Sequence, residues 1–258
     1  KDLEDSLGVA LFERSTRQVR LTGFGQEFAT QVADILRSVD ELGDLARASQ
    51  GGLGGQLRLG VIPTIGPYLL PQVIGFLNDT YPELTLKVRE TLTQSLIQEL
   101  HEGRLDAALV ALPLSEPNIV EAPLFSEEFV LIRPPEEADL PIPAPDNLSE
   151  LRLLLLEEGH CFRDQALEFC NFSTPAVRSL MDASNLSTLV QLVGSGVGIT
   201  LVPEMAVEVE TRSAEVSVGH FRSPAPKRTV GLIWREGSSL EAHLRKLADE
   251  LQQVLRSA

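Results

Sequence analysis

Cysteine is scarce in this chain. Cys161 and Cys170, nine positions apart, are the only two among 258 residues. They make no disulfide framework of the secreted kind, and no CxxC motif occurs. Basic residues are also few: 22 Lys and Arg face 37 Asp and Glu, for a net charge of −15 and a pI near 4.7. That balance excludes a nucleic-acid surface spread over the whole chain, though not a small basic element at one end. No apolar run approaches the ~18 residues of a membrane-spanning helix, so no membrane partner is expected. The opening KDLEDSLGVA has no charged-then-apolar leader pattern, which makes the cytoplasm the expected location and reduced thiols the default there. It also lacks a starting Met, so the chain is expected to begin inside a longer protein. Catalytic signatures are missing as well: there is no P-loop, HExxH or GxSxG elbow. His101, His160, His220 and His243 are scattered, so no metal is expected. The glycines of GSGVG (194–198) lie between a helix and a strand, the reverse of a dinucleotide fingerprint, and read as a helix C-cap. No cofactor is expected.

What is present is an ordinary globular composition, 43% hydrophobic, which excludes wholesale disorder and at this length suggests one to two domains. Residues 12–25, FERSTRQVRLTGFG, carry Arg14, Arg17 and Arg20 against Glu13 alone and read as a short two-stranded turn with a basic rim. From Gly25 the period changes. Phe28, Val32, Ile35, Val39, Leu42 and Ala46 form a heptad seam, which predicts a helix that pairs with a partner helix, or docks on its own domain. The run GGLGG (51–55) breaks it as a hinge. Strands and helices then alternate. Strands are expected near 57–61, 84–88, 107–112, 129–132, 152–156, 199–202 and 229–234. Helices are expected near 69–77, 94–102, 164–170, 186–193 and 239–256. Alternation of this kind predicts an α/β fold with largely parallel strands. Residues 134–150, with five prolines, five acids and no Lys or Arg, read as a surface loop.

One segment looks reactive: EEGHCFRDQALEFC, residues 157–170. Gly159 makes a turn after an apolar strand, and Cys161 sits at or just before a short helix with His160 and Arg163 beside it. A helix N-terminus and neighbouring cations stabilise thiolate over thiol, so Cys161 is placed to react and is expected to titrate below ~8.5. Asp164 reads as a helix cap or a partner of Arg163. Cys170 is either a small core residue or a redox partner. Thr64 and Thr93 each stand between a strand and a helix. They are either N-caps or, with Cys161, small polar groups converging on a cleft at the carboxyl ends of strands.

These strings also carry a resemblance. LEDSLGVALFERSTRQVRLTGFG (3–25) resembles the end of the recognition helix and the wing of LysR-type transcriptional regulators. GVIPTIGPYLLP (60–71) and EEGHCFRDQALEFC resemble the peroxide-sensing members of that family, and the resemblance spans essentially the whole chain. It implies a two-lobed, periplasmic-binding-protein-like effector domain of two Rossmann-like subdomains, preceded by a wing remnant and a long linker helix. Residues 1–24 would be the remnant of a winged helix-turn-helix, with Arg14, Arg17 and Arg20 at DNA, and 25–50 the dimerisation helix. Residues 51–126 with 229–258 would form one subdomain, and 127–228 the other. The resemblance further implies that Cys161 is the peroxidatic and Cys170 the resolving cysteine. Thr64, Thr93 and His160 would line a peroxide pocket, with Arg163, Asp164 and Arg228 (in KRTVGLIW) in support. Its partners would be hydrogen peroxide, promoter DNA, further copies of itself as dimer or tetramer, a glutaredoxin or thioredoxin reductant, and RNA polymerase. With most of the winged helix missing before Lys1, the chain as given is expected to bind DNA poorly. NFSTP (171–175), after Cys170, is short for the movement a disulfide would need. The alternatives are a LysR-type regulator of a small metabolite bound between the lobes, a thiol peroxidase, and a solute-binding protein. The seam helix speaks against the last.

Overall fold

The structure, a computed structural model, describes residues 2–14, 18–48, 55–144, 147–148, 151–169 and 182–256. A first helix, α1 (Asp2–Leu7), leads into an antiparallel hairpin of β1 (Phe12–Arg14) and β2 (Val19–Leu21). The Glu4 carboxylate ties the two together, accepting from the Leu11 and Phe12 amides. Gly25 is required here, because a Cβ would sit 2.1 Å from the Leu11 carbonyl oxygen. The heptad seam becomes one helix, α2 (Gly23–Ala48). Phe28 and Val32 are half-buried, whereas Ile35, Val39 and Leu42 are 59–66% exposed; Ala46 lies outside the described side chains, and most of the GGLGG hinge outside the described residues.

The rest is α/β. β3 (Gly55–Val61), α3 (Gly66–Thr80), β4 (Leu84–Glu90), α4 (Thr93–His101) and β5 (Ala107–Leu112) form successive crossover units, with β3 parallel to both β4 and β5. A long strand, β6 (Ile119–Arg133), follows without an intervening helix. Then come β7 (Leu155–Leu156), α5 (Cys161–Phe169), β8 (Asp182–Ala183), α6 (Leu186–Gly194), β9 (Thr200–Pro203), α7 (Glu204–Glu210), β10 (Ser217–His220), β11 (Lys227–Arg235) and α8 (Glu241–Arg256). The main sheet runs β10-β6-β11-β5-β3-β4, with β9 also on β6. The expectation of largely parallel strands is overturned. β11 is antiparallel to β5 and β6, and β6 to β9 and β10. A parallel pair needs a crossover element, whereas β11 simply runs back between β5 and β6. Only the end of β6 was legible in the sequence. Its first half carries Pro123, which lacks a ladder donor and sits where the register with β11 slips at Val230/Gly231. The expected strand over 152–156 contracts to β7 and a bridge between Leu153 and Ile199. α6 ends in the expected C-cap turn, with Gly196 at φ +75°.

Two hydrophobic cores form among the described residues. One gathers β3, β5, α3, α4, α8 and the middle of β11 around Trp234; the other gathers the end of β6, α6, β9 and Phe162 of α5. The chain leaves the first core along β6 and returns to it along β11. At that passage Glu127 and Arg228 are register partners. No helix among the described residues is long and apolar enough to cross a membrane.

Candidate functional site

Helix α5 begins at Cys161, one residue after His160 and two after Gly159. Gly159 adopts φ +97°, a left-handed turn that suits glycine and lets the chain double back from β7 into the helix. Cys161 belongs to a helix of the second core yet packs against the first. The β3–α3 loop brings Thr64 to the same place, and the start of α4 brings Thr93. Thr64, Thr93, His160 and Cys161 therefore line one recess, closed by Ile62, Pro63, Leu92 and Phe162. It is open to solvent at its mouth and too narrow for the centre of a water molecule. Thr64 is 3% exposed and Thr93 and His160 are each 6% exposed.

The two threonines are not the N-caps they could have been. Ile65 and Leu92 occupy those positions, with no side-chain cap. Instead the Thr64 hydroxyl accepts from Arg228 Nη1 at 2.9 Å, and the Thr64 carbonyl from Nη2 at 2.8 Å. The Thr93 hydroxyl is buried without a full hydrogen bond among the described residues, although it lies close enough to Cys161 to favour the thiolate. Arg228, 2% exposed, also donates from Nε to Glu127 Oε1 at 2.7 Å and lies over the Phe162 ring, 5.7 Å from its centroid. Phe162 in turn stacks edge-on against Phe129 at 4.9 Å. Tyr68, one turn past Thr64, donates to Glu210 at 2.6 Å and packs on the second core; burial and that carboxylate hold its hydroxyl protonated.

The electrostatics differ from the sequence expectation. Burial pushes the Cys161 thiol up from its ordinary value rather than down. Thr93, Arg228 and the Phe162 amide oppose that rise, and Asp164 adds to it. Burial also lowers the His160 pKa, despite Glu157 nearby, so the imidazole is neutral at pH 7 and supplies no cation. The cation at the thiol is Arg228, from a strand 67 positions away, not its neighbour Arg163. Arg163 donates to the Leu156 carbonyl at 2.7 Å and braces the turn out of β7. Asp164 lies inside the first turn of α5 rather than capping it. Arg14 stands opposite Val19 and Arg20 opposite Glu13 in the hairpin, with Arg20 exposed. Arg17 and Cys170 lie outside the described residues. No group of His, Cys, Asp and Glu that could hold a metal occurs among the described residues.

Sequence reasoning missed Glu127, Tyr68 and Glu210, and read Phe162 only as a packing residue of the helix. Nothing in SEEF (126–129) separates Glu127 from Glu128; only the register with Arg228 does. The place of Phe162 at the recess could have been found from its position directly after the cysteine.

Comparison with known proteins follows the same lines. A family model described as the LysR substrate binding domain matches residues 50–256. The chain is similar to a probable hydrogen peroxide-inducible genes activator of Streptomyces viridosporus, at 47% identity over 98% of this chain and 83% of that protein. It is 37% identical to the DNA-binding transcriptional dual regulator OxyR of Escherichia coli K12, over 98% of this chain and 83% of that one. Among solved structures, a mutant Corynebacterium glutamicum OxyR with hydrogen peroxide bound superimposes with a TM-score of 0.77 at 33% identity, covering 99% of this chain and 82% of that one.

Proposed function

This chain belongs to the LysR-type transcriptional regulators, and from that premise we propose that it senses hydrogen peroxide at Cys161 and passes the result to promoter DNA. The observation that carries this reading is the convergence of Thr64, Thr93, His160 and Cys161 on one narrow recess, with the Arg228 guanidinium behind it. Peroxide is little larger than water and needs only a small opening of such a space. A metabolite would need a far larger opening than peroxide does, which favours the peroxide reading over a metabolite effector at Cys161.

The chemistry runs in two steps. Cys161 attacks one peroxide oxygen while its thiol proton passes to the other; the O–O bond breaks, the second oxygen leaves as water, and a sulfenic acid remains. Thr93, with a hydroxyl to offer, and neutral His160, able to accept, hold the peroxide in place. Cys170, as resolving thiol, then attacks the sulfenic sulfur, forming a disulfide and releasing a second water. Helix α5 opposes that bond. From Cys161 to Phe169 its rise is about 12 Å, and a single peptide step of about 3.8 Å is too short to bring a chain leaving the intact helix back to the 4.4–6.8 Å Cα separation of a disulfide. Oxidation therefore unwinds at least the end of α5. Closing a loop of about ten residues restricts the open chain by roughly 2.7 kcal/mol, the scale of one or two displaced apolar side chains such as Phe169. The reduced and oxidised packings are thus close enough for redox chemistry to select between them.

Residues 51–126 with 229–258 form one subdomain in this reading, and 127–228 the redox subdomain. The hairpin arginines Arg14, Arg17 and Arg20 belong to the DNA-binding end of residues 1–24, and the exposed Ile35, Val39 and Leu42 of the linker helix (25–50) meet a second copy, in a dimer or tetramer. A cytoplasmic glutaredoxin or thioredoxin resets the disulfide, and RNA polymerase is the downstream partner. The test is peptide mapping under non-reducing conditions after one equivalent of peroxide. A Cys161–Cys170 crosslink within one chain is expected, with C161S inert and C170S leaving a sulfenic acid that dimedone traps. If C170S behaved like C161S, the two roles would be wrong.

A further inference from the structure

Arg228 is the cation at the thiol, and its side chain is fully buried, at 0% exposure. A guanidinium so placed is costly unless it is paired. Its partner is Glu127, itself 7% exposed, at 2.7 Å. The two stand opposite each other in the β6–β11 register, where the chain passes between its two cores. Both oxygens of Glu127 are engaged: Oε1 takes Arg228 Nε, and Oε2 accepts from the Met205 amide at 3.1 Å, near the start of α7. The carboxylate is therefore fixed from two sides, and it fixes the guanidinium in turn.

We infer that Glu127 is a positioning residue for the peroxide reaction: it aims the Arg228 guanidinium at the recess and, as its buried counter-ion, moderates the charge that guanidinium presents to Cys161. This rests on the peroxide reading of the site. A bare buried arginine would favour the thiolate more strongly than a paired one does. A neutralised one supports negative charge at sulfur only as peroxide attack develops it. The groups facing the thiol are Thr93 from α4, Arg228 from β11, Asp164 and the Phe162 amide from α5, and the neutral His160. Of these Arg228 alone is cationic, so its counter-ion tunes the one cationic contribution, against the larger effect of burial.

The experiment is the pH profile of Cys161 alkylation by iodoacetamide in the reduced protein, in a C170S background so that one thiol reports. Glu127→Gln keeps an acceptor for Arg228 and removes the charge; its inflection is expected about half a pH unit or more below the parent, hence about threefold faster alkylation below the inflection. Glu127→Asp keeps the charge and is expected to hold the parental inflection. A Glu127→Gln inflection at or above the parent, or the same downward shift in both variants, would overturn the proposal. Should Glu127→Gln not fold, the parent carries the test: the Arg228 Nε–H, assigned in NMR by its loss in Arg228→Lys, should exchange far more slowly than exposed arginines, and exchange at their rate would overturn it. Peroxide is applied to the same proteins. A thiol with the expected alkylation profiles but no reaction with peroxide would sink the peroxide reading while supporting the role of Glu127.

Discussion

Two threonines of the recess look interchangeable in sequence, yet replacing each by valine is expected to change stability in opposite directions. Thr93 Oγ1 is buried with no full hydrogen bond. An orphaned buried hydroxyl costs about 1–3 kcal/mol. Valine exchanges that hydroxyl for a methyl group of similar size at a helix position where either β-branched residue fits. Thr93→Val should therefore stabilise the reduced protein by about 1 kcal/mol, raising Tm by roughly 2–4 °C in a chain of this size. Thr64 Oγ1 instead accepts from the buried Arg228 guanidinium at 2.9 Å. Thr64→Val strands a charged donor and should cost about 1–3 kcal/mol, with Tm falling by several degrees. Function should move the same way in both, because each variant removes a polar group from the recess: peroxide oxidation of Cys161 slows by tenfold or more. The stabilised Thr93→Val is thus the poorer sensor, as expected where an unsatisfied donor is kept for a ligand. Circular-dichroism melting of the reduced variants and stopped-flow peroxide kinetics check both parts. A Thr93→Val that melts below the parent, or that oxidises at the parental rate, would refute the reasoning.

The remaining predictions follow from the same structure. Because burial lowers the His160 pKa below its unfolded value, its contribution to stability is intact at pH 7 and is lost as pH falls below about 6.5; denaturant midpoints from pH 7.5 to 5 should decline, and less steeply in His160→Asn. Asp106, 3% exposed at its side chain, holds Arg58 through both oxygens, so Asp106→Asn should lower the unfolding free energy by about 3 kcal/mol in urea melts. Replacing Ile35 and Leu42, 63% and 66% exposed, with Glu should shift sedimentation toward the monomer without changing the Cys161 oxidation rate; unchanged association would remove α2 from the interface.

The sequence made the alternation of elements and most of the recess legible. Strand-end threonines, a cysteine opening a helix and the adjacent His160 follow from local pattern, and a resemblance added Arg228 and the pocket role of His160. The mixed direction of the sheet was not legible, because β6 and β11 owe their pairing to partners about 100 residues or more apart and the Pro123 bulge breaks the alternation that would have marked β6. The charge state of the thiol was misread for a related reason. Neighbours in sequence, His160 and Arg163, suggested activation, but burial neutralises the first and the Leu156 carbonyl engages the second. Of the groups that matter, Arg228 came only through the resemblance, and Glu127 becomes visible only in the strand register.

Whether chemistry at Cys161 is converted into a change of structure is tested most directly by hydrogen exchange before and after one equivalent of peroxide. Amides of α5 (Cys161–Phe169) should lose protection strongly in the oxidised protein, while β3 (Gly55–Val61), buried in the first core, stays protected. Equal protection of α5 in the reduced and the disulfide-bonded protein would contradict the switch, even with the disulfide itself in place.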